Sequence, residues 1–334
     1  MQHPFVNCLQ KKAFKEKVGQ QRKSENDGDS LLFEICNPFR LDFGKIIQSK
    51  AFRRLTEKTQ VFCFPDNPHV RTRMTHTLEV SSLNSLIADV LGLNVELTMA
   101  CSMGHDVGHV PFGHVGERFL SKYTEKAFVH NLFGPIVMEE VERMGKGLNL
   151  REETLSGIKA HSGADFKKEM EVEEYKVVKL GDKISYTFSD VNDAVRFDYI
   201  SGKEANALLK KFGSNQRERI ITCLFDLFWE SFGKGTVSFS ESKTAKMFLE
   251  LREWMFKNVY DRANTRAIDE ELSRAFETIS EHPELKKFDP IVIFSILTEN
   301  GVREIAQKGL SKERMFNLGI TEIIPHLEEG RRYY

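Results

Sequence analysis

Apolar residues recur every three or four positions along most of the chain from Asn37 onward, the spacing of helices with one buried face. In RLDFGKIIQSKAFRRLTEKTQVF, Phe43, Ile46, Ile47, Phe52 and Leu55 fall near one face. HTLEVSSLNSLIADVLGL repeats the pattern through Val80, Leu83, Leu86, Ile87, Val90 and Leu91, then stops at Gly92. The same spacing predicts a third helix over NVELTMACSMGHD and a fourth from Gly134 to Met144, with Pro135 suited to its first turn. ETLSGIKAHSG ends in a glycine stop, and VEEYKVVKLGDKISYTFSDVNDAV reads as one long helix. Beyond residue 203, ANALLKKF, RERIITCLFDLFWESF and SKTAKMFLELREWMFKNVYDRA continue the period. Only GKGTVSFSES, residues 233–242, alternates enough to suggest a short hairpin or loop. The expected fold is all-α. Residues 37–205 would form the helical core and 206–334 a C-terminal helical layer packed on it, with a softer seam near 200–215. Residues 1–36 would form an N-terminal arm, partly mobile, because 10–30 are polar, first basic and then acidic, with little to bury.

Composition narrows the classes. The 334 residues suffice for a core without staples, and 40% hydrophobic with 29% charged residues is ordinary for a globular protein. A net charge of −1 draws the chain to neither nucleic acid nor membrane as a whole; only the basic stretch at 11–23 leaves a secondary role with single-stranded nucleic acid open. Cys8, Cys36, Cys63, Cys101 and Cys223 are odd in number and contain no CxxC pair, so they read as reduced thiols. MQHPFVNCLQKK lacks the layout of a secretory signal, and runs such as IVIF are far too short to cross a bilayer, so a cytoplasmic location is expected.

Chemistry concentrates in GHDVGHVPFGHVGE, Gly104 to Glu117, which holds three histidines, two acids and four glycines. Its glycines and proline exclude an ordinary helix interior, and its valines and phenylalanine exclude a solvated linker. The adjacent His105 and Asp106, at a helix end, can both reach one cation but cannot complete its shell. His76, near the start of its helix, and Asp182, in the apolar turn VVKLGDKISY, are the candidate partners. A bare buried carboxylate is costly, so Asp182 faces either a positive group or a structural hydrogen-bond partner. Two imidazoles with two carboxylates suit Mn, Fe, Co, Ni or Zn, with Mg less favoured by the nitrogens. Asp182, Tyr186 and Asp190 are spaced i, i+4, i+8 along one helix face, about 12 Å of groove or an ordinary polar surface.

The order His76, His105–Asp106, Asp182 resembles the HD-domain metal phosphohydrolases. AFRRLTEKTQVF, RTRMTHTLEV, GHDVGHVPFGHVGE, FVHN, GIKAHSG and KLGDKISYTFSDVND are similar, in order, to signatures of the deoxyguanosinetriphosphate triphosphohydrolase-like family, related to the SAM-and-HD-domain dNTP hydrolase. The resemblance covers roughly residues 37–200. It implies hydrolysis of a dNTP to deoxynucleoside and triphosphate, with a divalent ion, Mn or Mg in assay, held by His76, His105, Asp106 and Asp182. It implies His114 and Glu117 as a catalytic pair and His130 as a further catalytic histidine, without choosing which imidazole protonates the leaving group. Phosphates would fall to Arg73, Lys183 and His109, with Arg53, Arg54, Arg262 and Arg266 as weaker candidates, and the sugar to Gln60, Val61, Tyr186 and Asp190. A homo-oligomer (tetramer or hexamer) and a nucleotide effector are further implications. The competing classes are another HD nucleotide phosphohydrolase, a 5′-nucleotidase or phosphodiesterase, and a non-catalytic HD protein that senses dNTP or single-stranded DNA.

Overall fold

The structure, a computed structural model, describes residues 3–15, 32, 35–63, 67–163, 171–260 and 266–334. The fold is all-α, and among the described residues the β pairing recorded is an isolated bridge between Thr59 and Thr72. The single stretch expected over 40–62 is broken at Ser49. Helix α1 (Pro38–Gln48) starts where Asn37 accepts from the amides of Phe39 and Arg40. Ser49 is extended and accepts from Phe52 N, so it ends one helix and caps the next, α2 (Lys50–Arg54).

Helix α3 (Arg73–Leu91) begins in a Thr72–Thr75 capping box and ends where Gly92 turns left-handed at φ 76°. Asn94 caps α4 (Val95–Gly104), and α5 (Gly113–Leu120) follows the glycine-rich turn. The helix expected from Gly134 begins four residues earlier, as α6 (His130–Ile136), with Pro135 inside it, and the chain widens into a π turn over Val137–Val141. Proline cannot donate to Asn131 O and its ring crowds that carbonyl, which accounts for the loss of α geometry just beyond it.

Next come α7 (Glu152–Ala160) and α8 (Glu173–Arg196), then α9 (Gly202–Leu209), whose Ser201–Glu204 capping box stands in the expected seam. Helices α10 (Gln216–Lys234) and α11 (Lys243–Asn258) are joined by a loop, not a hairpin. The Glu230 carboxylate accepts from the amides of Ser240, Glu241 and Ser242, which closes the turn without strand pairing. Helices α12 (Arg266–Glu281), α13 (Pro290–Ser295), α14 (Glu299–Lys308) and α15 (Lys312–Asn317) complete the order.

Helices α1, α3, α7 and α8 pack around α4. Residues beyond 206 divide between two hydrophobic clusters. The helices α9 to α11 join α3 and α8 around Phe188, Leu227 and Phe248; α12 to α15 join the glycine-rich turn and α5 around Phe119, Phe276 and Phe294. The N-terminal segment is held at its start: Phe5 and Leu9 are buried, and Phe14 N donates to Glu174. Residues 16–31 of the expected arm lie outside the described residues.

One contact fixes the turn that carries the chemistry. A Cβ on Gly108 would collide with the carbonyl oxygen of His130 and the nitrogen of Gly134, so backbone lies directly on backbone there. Gly108→Ala is expected to destabilise the fold by about 3 kcal/mol or more, measured by denaturant unfolding, because neither neighbour is a side chain that can swing away.

Candidate active site

Three elements bring four donor side chains together. His76 lies in the first turn of α3, His105 and Asp106 directly follow α4, and Asp182 faces them from α8. His76 Nε2 is 3.0 Å from Asp182 Oδ1 and 4.0 Å from Asp106 Oδ2; His105 Nε2 is 3.4 Å from Asp106 Oδ1 and 3.7 Å from Asp182 Oδ1. The ligand atoms of His76, His105 and Asp106 lie within 4.8 Å of one another. His105 Nδ1 donates to the carbonyl of Ser102 at 2.6 Å, which leaves Nε2 as a lone pair. That atom is buried and has no hydrogen-bond partner. An orphaned imidazole lone pair aimed between two carboxylates and a second imidazole is what a divalent cation requires, so these residues fit one. Burial works against charge on both aspartates. At Asp106 it is outweighed by His105, Arg73 and His109, and the carboxyl is held well below its ordinary range; at Asp182 the His76 hydrogen bond and His105 hold it at about 2.

The glycine-rich turn doubles back so that His109 meets Asp106 of this cluster, with His114 and Glu117 following on α5. Phe112 sits at φ 63°, an unusual cost for a bulky residue, and its amide is held by Glu299 Oε1 at 2.9 Å. Below it, Lys58 Nζ donates to the carbonyls of His109 (2.5 Å) and Ser295 (2.9 Å). The turn is thus tied from beneath by a buried lysine and a glutamate of α14. Around Glu117 stand three imidazoles: His130 Nδ1 at 2.7 Å and His109 Nδ1 at 2.9 Å from Oε1, and His114 Nδ1 at 2.9 Å from Oε2. Burial would push the Glu117 carboxyl up; His130, His109 and His114 outweigh it and hold it well below the usual range. Of the three rings, His114 alone is open to solvent, with 68% of its side chain exposed. His109 stacks on His130 at 3.6 Å and reaches Asp106 Oδ1 with Nε2 at 3.2 Å. Burial, Arg73 and His130 push its pKa down to about 3, so it is neutral.

Arg73, at the start of α3, donates to Asp106 Oδ2 at 3.0 Å and to Gln60 O at 3.1 Å. Gln60 Oε1 is buried without a hydrogen-bond partner, and half-buried Val61 packs on the α3–α8 cluster. Along α8, Lys183, Tyr186 and Asp190 follow Asp182. Burial, with Arg252 and Lys179 nearby, lowers Lys183 to about 8. The Tyr186 hydroxyl accepts from Arg252 at 2.8 Å, and its ring stands 6.4 Å from that of His76. Asp190 accepts from Arg71 at 2.5 Å and from the Tyr260 hydroxyl at 2.8 Å; burial raises its pKa to about 6 even beside Arg71.

Arg71, Arg252, Tyr260 and His161 were not singled out as site residues. Arg71 stands two residues before Arg73 in RTR and His161 inside GIKAHSG, so both had a local signal; Arg252 and Tyr260 come from α11 and its end, with none. Arg53 and Arg54 are not brought to this site. Arg53 donates to Ser49 O and Gln48 O, Arg54 pairs with Glu142 at 3.5 Å, and both line another cavity of about 420 Å³ with Thr298 and Asn317. Arg262 and the side chain of Arg266 lie outside the described residues. Among the described residues no helix is long and apolar enough to cross a membrane.

Residues 73–187, which run from Arg73 through all four donors to the face of α8, match the HD domain family. With the His/Asp cluster, that defines the class: a metal-dependent HD phosphohydrolase. Over 266 residues, 79% of this chain and 76% of the relative, the sequence is 38% identical to a deoxyguanosinetriphosphate triphosphohydrolase-like protein of Caldanaerobacter subterraneus subsp. tengcongensis. It is 39% identical over 255 residues to a protein of the same description from Clostridium tetani, 73% of each chain, and 38% over 252 residues to one from Clostridium perfringens, 73% and 72%. The chain belongs to the deoxyguanosinetriphosphate triphosphohydrolase-like family.

Proposed function

We propose that this protein hydrolyses a deoxynucleoside triphosphate to deoxynucleoside and triphosphate. The observation that carries the reading is the run of contacts from the Glu117–His114 pair through His109 to Asp106 of the four-residue cluster, whose Asp182 begins the Tyr186–Asp190 face of α8. A divalent ion held by those four residues supplies charge neutralisation at the phosphate and a hydroxide source near neutral pH. The two imidazoles among them favour Mn, Fe, Co, Ni or Zn over Mg.

His114 is the proton donor to the leaving 5′-oxygen in this reading. Its Nδ1 is fixed on Glu117, which leaves Nε2 on an exposed ring free to meet substrate, whereas the buried His130 has both nitrogens engaged, with Glu117 and His161. Lys183 and Arg252 supply positive charge along the groove, and Arg73 does so beside Asp106. The Tyr186 ring, fixed through its hydroxyl by Arg252, forms a flat wall against C2′, and Gln60 Oε1 is an unused acceptor for the 3′-hydroxyl. Asp190, which already accepts from Arg71 and Tyr260, retains acceptor capacity on both oxygens.

Chromatography of products from the four dNTPs, singly and mixed, beside the four NTPs, tests this with Mn and with Mg. The expected products are deoxynucleoside and intact triphosphate. A 2′-hydroxyl forced against the Tyr186 wall would lower kcat/KM by about tenfold to a hundredfold, the equivalent of about 1.4–2.7 kcal/mol. Release of orthophosphate would replace this reading with the 5′-nucleotidase one, opening of a cyclic ester with the phosphodiesterase one, and equal rates with NTPs would remove the Tyr186 wall.

A further inference from the structure

Glu299, the first residue of α14, is 2% exposed and lies far along the chain from the groups it touches. Its Oε1 accepts three hydrogen bonds, from Phe112 N at 2.9 Å, Thr59 N at 3.1 Å and Thr59 Oγ1 at 3.3 Å. Its Oε2 is buried and has no hydrogen-bond partner. Burying a carboxylate with one oxygen unsatisfied costs stability, so core packing alone does not account for an acid here. Its position does: the two amides it holds belong to two different parts of the site.

Thr59 precedes Gln60, the acceptor assigned above to the 3′-hydroxyl, and Phe112 stands two residues before His114, the assigned proton donor. One oxygen atom thus joins the segment that meets the sugar to the turn that leads into the acid–base pair. Lys58 backs the same junction from below through the carbonyls of His109 and Ser295. On its other side the 58–60 segment is fixed to the start of α3, where Arg73 N donates to Lys58 O at 2.8 Å and the Arg73 guanidinium to Gln60 O at 3.1 Å. The turn has the greater need of a tether, because Phe112 is held at φ 63°, a backbone that relaxes unless its surroundings fix it.

We propose that Glu299 is a positioning residue that sets the spacing between the sugar contact at Gln60 and the proton donor at His114. It acts through two backbone amides and a threonine hydroxyl, so its reach matters and its charge does not. The proposal rests on the deoxynucleotide reading above for the roles of Gln60 and His114.

Glu299→Asp and Glu299→Gln separate reach from charge. Aspartate keeps the charge on a side chain shorter by about 1.5 Å, one C–C bond. Glutamine keeps the length, and its carbonyl oxygen still accepts from both amides. Both are assayed as full-length, Mn-loaded protein, at equal folded concentration by circular dichroism, with a dNTP and its 2′,3′-dideoxy analogue. The analogue lacks the hydroxyl that Gln60 meets, so the ratio of the two kcat/KM values reads the Gln60 end, and kcat for the dNTP reads the His114 end. Glu299→Asp should lower kcat about 10²-fold, the loss expected of a misplacement of about 1 Å. It should also reduce the preference for the dNTP about fivefold to tenfold, the worth of one hydrogen bond. Glu299→Gln should stay within about threefold of wild type in both readouts, because its oxygen keeps the same donors. Glu299→Met, which fills the same volume without an acceptor, serves with the same expected losses where Glu299→Asp does not fold. A residue that only stabilised the fold would change the melting temperature and leave kcat and the ratio unchanged per folded molecule. That result, a kcat loss without a change in the ratio, or an equal loss in Glu299→Gln would each overturn the proposal. Product identity in wild type separates the two readings. Orthophosphate release would remove the triphosphohydrolase reading while the same contrast between variants decides this one; triphosphate release with every variant at wild-type values would do the reverse.

Discussion

Replacing Asp106 with asparagine is expected to lower hydrolysis at least about 10³-fold and also to destabilise the metal-free protein. The activity loss follows from position. Asp106 stands within reach of His76, His105 and Arg73, and losing even an outer-shell partner of a metal typically costs 10–100-fold. The stability loss has a different origin. Arg73 is 2% exposed and donates to Asp106 Oδ2, so the neutral amide leaves a buried guanidinium without its countercharge. Breaking such a pair from one side costs about 3–5 kcal/mol. His105→Gln separates the two effects, because it removes a donor while Arg73 keeps its partner. The expected pattern is loss of activity and metal in both variants, with a lowered melting temperature of the chelator-treated protein only for Asp106→Asn. Equal melting temperatures would show that Arg73 does not depend on Asp106.

Much of this centre was legible as sequence because its chemistry is local. His105 and Asp106 are adjacent, His114 and Glu117 are three apart on one short helix, and Thr72 and Gly92 mark the helix that carries His76. The fold class followed from the helical period even though Ser49 and the π turn over Val137–Val141 interrupt it. What the sequence hid was produced by packing. Gly108 packs on the backbone of His130 and Gly134 in the first turns of α6, and no helical period reports a contact between two distant glycines. The partners of Asp190 show the same limit: Arg71 lies 119 residues before it and Tyr260 lies 70 after it.

The C-terminal half carries no motif of its own, yet it supplies two parts of the site. Through α11 and its end it places Arg252 on Tyr186 and Tyr260 on Asp190. Through α13 and α14 it holds the glycine-rich turn, by way of Ser295 on Lys58 and Glu299 on the amide of Phe112. A residue at positive φ, as Phe112 is, persists only when its surroundings over-determine it. Residues 290–299 therefore hold the backbone that carries His109 and His114.

Glu117→Gln is expected to reduce kcat by about 10²–10⁴-fold with little change in KM, since the carboxylate touches imidazoles and not the phosphate groove. Stability moves with a definite sign too. The Glu117 carboxyl is held well below its ordinary value in the folded protein. Its contribution is therefore complete above about pH 4.5 and is lost as the pH falls through the depressed folded value. Wild type should exceed Glu117→Gln in unfolding free energy at pH 7, and the gap should narrow in acid. A glutamine also turns an amide donor toward imidazoles that donate to the carboxylate, so His130 and His114 cannot both keep their present partners. Measuring unfolding free energy against pH in both proteins distinguishes loss of this charge from a general loosening of the site, which would leave the gap between them unchanged as the pH falls.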